Sequence, residues 1–411
     1  MVSTSRRVYV RRRIAVGVAA TAVLAGAIYT PMTLLAPVPT VAAETAEFAA
    51  AITPPPAIAA APVVPGFGVS GITAIGETGA LATVDDGAQH PIASITKAIT
   101  ALVVLSVKPM DATSDGEPIV LTDQDAGFYD WQISLGGSAE PVTPGVTMSQ
   151  RDVLELMLLP SANNYAQTLA TWAFGSEAAY VDAARAWLLE QGMSATTIVD
   201  ASGVDDANAS TVADLLMLGQ LALSNPVLAP IVAMPAADVP DLGVVENSNR
   251  LLGTVGVDGI KTGTSPLAGA CLLFSADVAV GSQTVTLVGV VLGGDTHAAV
   301  RDAVAALVTS VTAGYREIEV VAEDSPFAEF EQVWGDSATA VTASAVTMLV
   351  WSDTPVTITA DVLSVSLAEA GTDVGTVTVT SGPRSASVPL RLDGTIDDPG
   401  AWWRLSHPGS L

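Results

Sequence analysis

Apolar residues recur with two different periods along this chain, and the switch between them orders its elements. Residues 72–75 and 80–84 flank Gly76-Glu77-Thr78-Gly79, the pattern of a β-hairpin. From Ser94 to Val107 apolar residues fall at Ile95, Ala98, Ile99, Leu102, Val103 and Leu105, one face of a helix that Lys108-Pro109 stops. Ser149-x-x-Asp152 resembles a capping box opening a helix over residues 150–159. Pro160 ends that helix, and another begins near Asn164. Further helices are predicted over residues 177–191 and 212–223. Beyond Gly259 the period shortens to that of strands, at 260–264, 271–276 and 284–292, before a helix over 297–312. From about Tyr315, Val- and Thr-rich segments at 341–350, 356–367, 374–379 and 386–392 predict a separate all-β module.

The first 67 residues follow neither period. Five arginines, Arg6, Arg7, Arg11, Arg12 and Arg13, precede an uncharged apolar run over residues 14–36. That layout is the basic and hydrophobic region of an export signal, and the run is also long enough to cross a bilayer. Basic residues stay on the cytoplasmic side, so the rest of the chain faces outward. The segment is read as an uncleaved anchor, with cleavage at Val41-Ala42-Ala43 as the alternative. Residues 44–67, with Pro54-Pro55-Pro56, read as an extended, semi-rigid linker. The division is therefore 1–43, basic segment and anchor or signal; 44–67, linker; 68–315, a catalytic domain; and 316–411, a β-rich domain.

Composition narrows the chemistry. Half of the 411 residues are apolar and only 14% are charged, which excludes wide disorder. The formal charge of −26 excludes a nucleic-acid partner, which needs a basic face. A single cysteine, Cys271, leaves no intrachain disulfide and no thiolate metal cluster, and it reads as a buried strand residue. His90, His297 and His407 show no metal-ligand spacing, so neither metal nor cofactor is expected. Trp402-Trp403 are expected to pack inside the β module.

Lysine is the informative scarcity. There are three, Lys97, Lys108 and Lys261, and two of them lie in short motifs. In Ser94-Ile95-Thr96-Lys97 a three-residue offset puts hydroxyl and amine on one helical face. A serine hydroxyl attacks only when a base removes its proton, and a lysine is a base only when burial or a neighbouring cation lowers its pKa. Lys261 supplies that cation if folding brings it close, so one amine is neutral and the other charged. Ser161-Ala162-Asn163 follows the helix end at Pro160. Ser161 there can relay a proton to a leaving amine, and Asn163 can hold Lys97 and bind a substrate amide. Lys261-Thr262-Gly263-Thr264 lies on a strand. Lys261 and Thr262 suit a carboxylate, Gly263 lets substrate backbone approach, and the N–H groups of Ser94 and Thr264 suit an oxyanion.

The three motifs in this order resemble the set of the penicillin-binding proteins and class A β-lactamases. Over residues 68–315 the chain is similar to the serine-type D-Ala-D-Ala carboxypeptidases, the low-molecular-weight penicillin-binding proteins. The likeness rests on Pro91–Lys97, Leu159–Asn164, the stretch 247–252 and Asp258–Thr264. It implies an α+β fold of the serine β-lactamase/DD-peptidase type: an antiparallel sheet with flanking helices and a helical subdomain, followed here by the small all-β domain. It implies Ser94 as nucleophile, Lys97 as base, Ser161 and Asn163 as relay and positioner, and Lys261 and Thr262 as carboxylate binders. The implied activity is removal of the terminal D-alanine from peptidoglycan stem peptides, outside the cytoplasm in a bacterial envelope, with β-lactams as covalent inhibitors. Ala162 stands where many members have glycine. A D,D-endopeptidase acting on cross-links, a β-lactamase, and a non-enzymatic β-lactam sensor or wall-binding module are the alternatives. For the β-lactamase, none of Glu177, Glu190 and Glu246 has the context of a deacylating base. A Ser-His-Asp hydrolase is excluded by the lack of a Gly-x-Ser-x-Gly elbow.

Overall fold

The computed structural model describes residues 3–45, 56 and 58–411; Pro54 and Pro55, the centre of the expected linker, lie outside the described residues. The chain forms two compact units, one of Ile58–Glu317 with Leu349–Asp353, the other of Met1–Ala57, Ile318–Met348 and Thr354–Leu411.

The larger unit is built on a five-stranded antiparallel sheet. Its strand order is Ala82–Val84, Val69–Ala74, Gln283–Gly294, Gly269–Val280 and Val257–Ser265. The period of two decides which side chains go to which face. Cys271 and Leu273 join Val288, Val290 and Leu292 under one group of helices. Ala270, Leu272, Phe274 and Ala276 join Val285, Leu287 and Val291 under helix His297–Thr312 on the other. Both faces are covered, so these strands are apolar almost throughout. Cys271 is fully buried here, and burial pushes its thiol up to about 11. Gly289 leaves room for the Phe274 ring, since a Cβ there would lie 2.2 Å from Phe274 Cζ.

The first face carries an all-helical layer. Thr96–Val107 runs through its middle, buried from Thr96 to Leu105. Gln150–Leu158, Asn163–Phe174, Glu177–Glu190 and Val212–Ser224 surround it. Ser149 and Asp152 form the expected capping box. Helix Asp123–Ser134 was not legible in the apolar pattern. It has its own capping box at Thr122 and Asp125, but most of its surface is polar or exposed, so no helical apolar period marks it. The hairpin of Ala236–Val239 with Gly243–Glu246 was likewise unmarked.

In the smaller unit a second five-stranded antiparallel sheet runs Pro326–Glu331, Ser337–Thr342, Arg384–Leu392, Asp373–Ser381, Val356–Val362. The expected strand over 341–350 is two strands, Ser337–Thr342 and Val346–Trp351, broken at residues 343–345. Val41 and Glu44 bridge to Val365 and Glu329, so the chain that follows the N-terminal helix is hydrogen-bonded into this unit. That helix, Ser3–Leu34, is long and apolar enough over Arg6–Leu34 to cross a membrane, and its apolar window is exposed. The architecture is α+β, an antiparallel sheet covered by a helical layer, with an all-β region at the C-terminal end.

Candidate active site

Ser94 sits on a short 3-10 turn, Ala93–Ile95, that enters helix Thr96–Val107. The expectation was a regular helix from Ser94. Ser94 thus lies on the turn and Lys97 in the first turn of the helix, three positions on, with hydroxyl and amine in contact. Lys97 Nζ lies 2.7 Å from Ser94 Oγ, 2.6 Å from Asn163 Oδ1 and 2.7 Å from the Ser202 carbonyl. Ala93, just before the serine, has φ 45°, and Ser161 has φ 68°. A non-glycine residue held there costs about 1–3 kcal/mol, so the surrounding fold must impose it. Ala162, by contrast, has φ −63°, which alanine adopts freely and which explains why glycine is not needed at that position.

The environment of Lys97 decides its protonation state. Its side chain is fully buried, and burial, then the proximity of Lys261, lower its pKa well below the ordinary value, against an opposing effect of Asp200. Two of its three neighbours, the Asn163 and Ser202 oxygens, can only accept. A neutral amine has two N–H groups for those oxygens and one lone pair left for the Ser94 hydroxyl. The three contacts therefore fit an amine poised to accept the serine proton.

Asn163 is itself held. Its Nδ2 donates to Gln132 Oε1 at 3.0 Å, Gln132 Nε2 to Gln167 Oε1 at 3.0 Å, and Gln167 Nε2 to Glu177 Oε2 at 3.3 Å. Glu177 Oε1 accepts the Ala201 N–H, adjacent to the Ser202 carbonyl that holds Lys97. The Asp200 carboxylate fixes that loop by accepting from the backbone of Ser202, Gly203 and Asp205 and from Asn208. Gly203 has φ 81°, and a Cβ there would lie 1.9 Å from the Ala93 carbonyl oxygen. Glycine is required for the loop to come this close to the serine turn.

Lys261, Thr262 and Gly263 lie on the edge strand Val257–Ser265, against the serine turn. A Cβ on Gly263 would stand 2.9 Å from the Ile92 carbonyl oxygen and 3.3 Å from Ser94 N. Lys261 is buried, and among the described residues its Nζ has no hydrogen-bond partner. Burial pulls its pKa down from the ordinary lysine range to about 7, so a partner of opposite charge at this amine would favour its protonated form. Thr262 Oγ1 is 2.7 Å from Ser248 Oγ, and Thr264 Oγ1 is 2.6 Å from His297 Nε2. Ser161 is buried two residues before Asn163, and among the described residues its hydroxyl makes no hydrogen bond to Lys97.

The tightness of Gly263 gives one prediction. Gly263→Ala pushes the edge strand off the Ser94 backbone and is expected to lower kcat/KM by about 10²–10³, the effect of losing one oxyanion donor. A thermal-unfolding shift of a few degrees is expected alongside. Unchanged steady-state kinetics would mean that this approach has no part in catalysis.

Of the residues singled out from sequence, Ser94, Lys97 and Asn163 are hydrogen-bonded together, Lys261, Thr262, Gly263 and Thr264 lie on the strand against the serine turn, and Ser161 is buried two residues before Asn163. Gln132, Asp200, Ser202, Ser248 and His297 were not singled out. Ser202 acts through its carbonyl, which its side-chain type does not reveal. Gln132 lies on the polar helix that the apolar pattern missed. His297 was weighed only for metal-ligand spacing, although its place at the start of a helix after the last sheet strand was a usable signal.

The geometry meets its counterpart in known proteins. A sequence profile described as D-alanyl-D-alanine carboxypeptidase, peptidase family S11, matches residues 75–296. Curated relatives include a D-alanyl-D-alanine endopeptidase of Pseudomonas aeruginosa, 32% identical over 197 residues, 46% of this chain and 60% of the relative. They also include the D-alanyl-D-alanine carboxypeptidase DacB2 of Mycobacterium tuberculosis, 34% identical over 189 residues, 44% of this chain and 61% of the relative. The chain thus spans about 60% of the length of these relatives. Among solved structures, PBP3 of Streptococcus pneumoniae superposes with a TM-score of 0.59 at 21% identity, covering 82% of this chain and 100% of that one. Penicillin binding protein 5 of Haemophilus influenzae gives 0.56 at 20% identity, covering 84% and 100%. These two share the fold. Because the matching profile spans the serine, the Ser-x-Asn loop and the Lys-Thr-Gly strand, and takes in more than half of the chain, the chain belongs to the D-alanyl-D-alanine carboxypeptidase family of serine peptidases.

Proposed function

We propose that this protein removes the terminal D-alanine from peptidoglycan stem peptides through an acyl-enzyme on Ser94, and that β-lactams acylate the same serine. The observation that carries this is the buried Lys97 amine with two acceptor oxygens and one hydroxyl around it. Lys97 takes the Ser94 proton as Oγ attacks the carbonyl of the penultimate D-alanine. The N–H groups of Ser94 and Thr264 stabilise the oxyanion. Ser161 passes a proton to the departing D-alanine amine, while Asn163 keeps Lys97 in place and meets the substrate amide. Lys261 and Thr262 hold the terminal carboxylate, and Gly263 gives it room. Water then hydrolyses the ester.

Glu177 is tied by hydrogen bonds to Gln167 and Ala201, and Glu246 is exposed and paired with Arg250, which argues against either as the base of a β-lactamase. A second reading, D,D-endopeptidase action on cross-links, has a specific support: an endopeptidase relative is 32% identical. We place the catalytic domain at 68–315 and the β-rich domain at 316–411, with residues 44–67 as linker. The reading puts the chain outside the cytoplasm, with Ser3–Leu34 as an uncleaved anchor.

The test is D-alanine release from a peptide ending in D-Ala-D-Ala, against cleavage of a cross-linked dimer, across pH. Release from the first at a higher kcat/KM is expected. The profile should rise as Lys97 loses its proton and fall above about pH 7 as Lys261 loses the charge that holds the carboxylate. A C-terminally amidated peptide carries no carboxylate and should lack the alkaline fall. The same alkaline fall with both peptides would remove Lys261 from carboxylate binding, and faster cleavage of the dimer would favour the endopeptidase.

A further inference from the structure

Asn163 can serve Lys97 in only one of its two amide orientations. With Oδ1 toward Nζ, as here, it takes an N–H from the amine and leaves the lone pair to Ser94. Turned over, the same side chain would aim an N–H at Nζ. A neutral amine can receive that N–H only on its lone pair, the one that must take the serine proton. An ammonium cannot receive it at all. The two ends of a carboxamide have nearly the same shape, so hydrogen bonding rather than packing chooses between them.

The choice is made some distance from the serine. Asn163 and Gln132 are both buried, and a Cβ on Gly137 would lie 2.9 Å from each of their contacting atoms, Nδ2 and Oε1. Each carboxamide in the chain donates at one end and accepts at the other, so none fixes the direction by itself. Glu177 does, because a carboxylate only accepts. Gln167 must turn Nε2 to Glu177 and Oε1 to Gln132. Gln132 must then accept from Asn163, which leaves Asn163 Oδ1 toward Lys97. The other Glu177 oxygen takes the Ala201 N–H, on the loop whose Ser202 carbonyl receives the second N–H of Lys97. Both acceptors around the amine thus trace to one carboxylate, at the start of helix Glu177–Glu190.

We propose that Glu177 is a positioning residue that sets the direction of hydrogen bonding at Lys97 through the carboxamides of Gln167, Gln132 and Asn163, and so keeps the lone pair of the base turned to Ser94. This role rests on the reading of Lys97 as the base of Ser94. It needs no contact between Glu177 and substrate.

The test measures acylation of the full-length chain by a fluorescent penicillin in three variants. Glu177→Gln replaces one carboxylate oxygen by an NH2. The Ala201 N–H claims the oxygen that remains, so the new amide turns its NH2 to Gln167, and each carboxamide up to Asn163 must invert. Acylation should slow by about 10²-fold, the lower end of what a well-placed base contributes, with saturating binding before acylation retained. Gln132→Met takes the acceptor from Asn163 Nδ2 and should slow acylation as well. The exchange Gln167→Glu/Glu177→Gln keeps the composition and charge of the pair and moves the carboxylate one link along. That carboxylate accepts from Gln132 on one side and from the new amide on the other, so Asn163 keeps its direction and acylation should return to near the wild-type rate. Wild-type acylation in Glu177→Gln or Gln132→Met, or an exchange variant as slow as Glu177→Gln, would overturn the proposal and leave Lys97 as the base. Wild-type acylation in Lys97→Met would overturn the base and the proposal with it.

Discussion

Ser94→Ala is expected to remove covalent labelling by penicillin completely and to lower D-alanine release by about 10⁵–10⁶, the scale on which serine hydrolases lose rate without their nucleophile. No neighbouring hydroxyl can replace it. Ser161 is buried on its own strained loop, and Thr262 is engaged with Ser248. The fold should persist, because among the described residues the Ser94 side chain has a single hydrogen-bond partner, and Lys97 keeps two others when it is lost. The stability change is then that of one hydrogen bond, about 1 kcal/mol, read as a shift of a few degrees in thermal unfolding. Labelled Ser94→Ala protein would contradict the nucleophile.

Lys97→Met separates the base from the nucleophile. Methionine keeps most of the buried volume, whereas alanine would leave a cavity costing about 2–5 kcal/mol. Both variants orphan the Asn163 and Ser202 oxygens. Burial that lowered the pKa of Lys97 also means that a neutral side chain there pays little electrostatic penalty. Acylation by a fluorescent penicillin should slow by about 10³–10⁴, the contribution of a well-placed general base. Saturating binding before acylation should be retained, because Lys261 and Thr262 are unaltered. Single-turnover stopped-flow kinetics separate the two steps. An unchanged acylation rate would mean that some other group removes the proton.

The parts of the molecule that were readable are those whose physics is local or periodic. Ser94 and Lys97 are three positions apart, and two of the three lysines sit in such motifs. The sheet was readable because Cys271 through Ala276 alternate between two buried faces. The capping box at Ser149 was readable because both partners lie within three residues. What escaped depends on contacts made across the fold. The relay from Asn163 through Gln132 and Gln167 to Glu177 joins three helices, and no spacing in the chain announces it. The depth of burial that lowers the pKa of Lys261 is likewise a tertiary property. Trp402 and Trp403 are identical neighbours in sequence, and only the seat of their helix decides that one is packed and the other open.

The most direct measurement of the central claim is the intact mass of the full-length protein after brief exposure to benzylpenicillin, followed by proteolysis and location of the adduct. One penicilloyl group on the peptide containing Ser94, absent from Ser94→Ala and slow to appear in Lys97→Met, is the expected result. An adduct on any other residue, or none on a folded protein, would contradict the account.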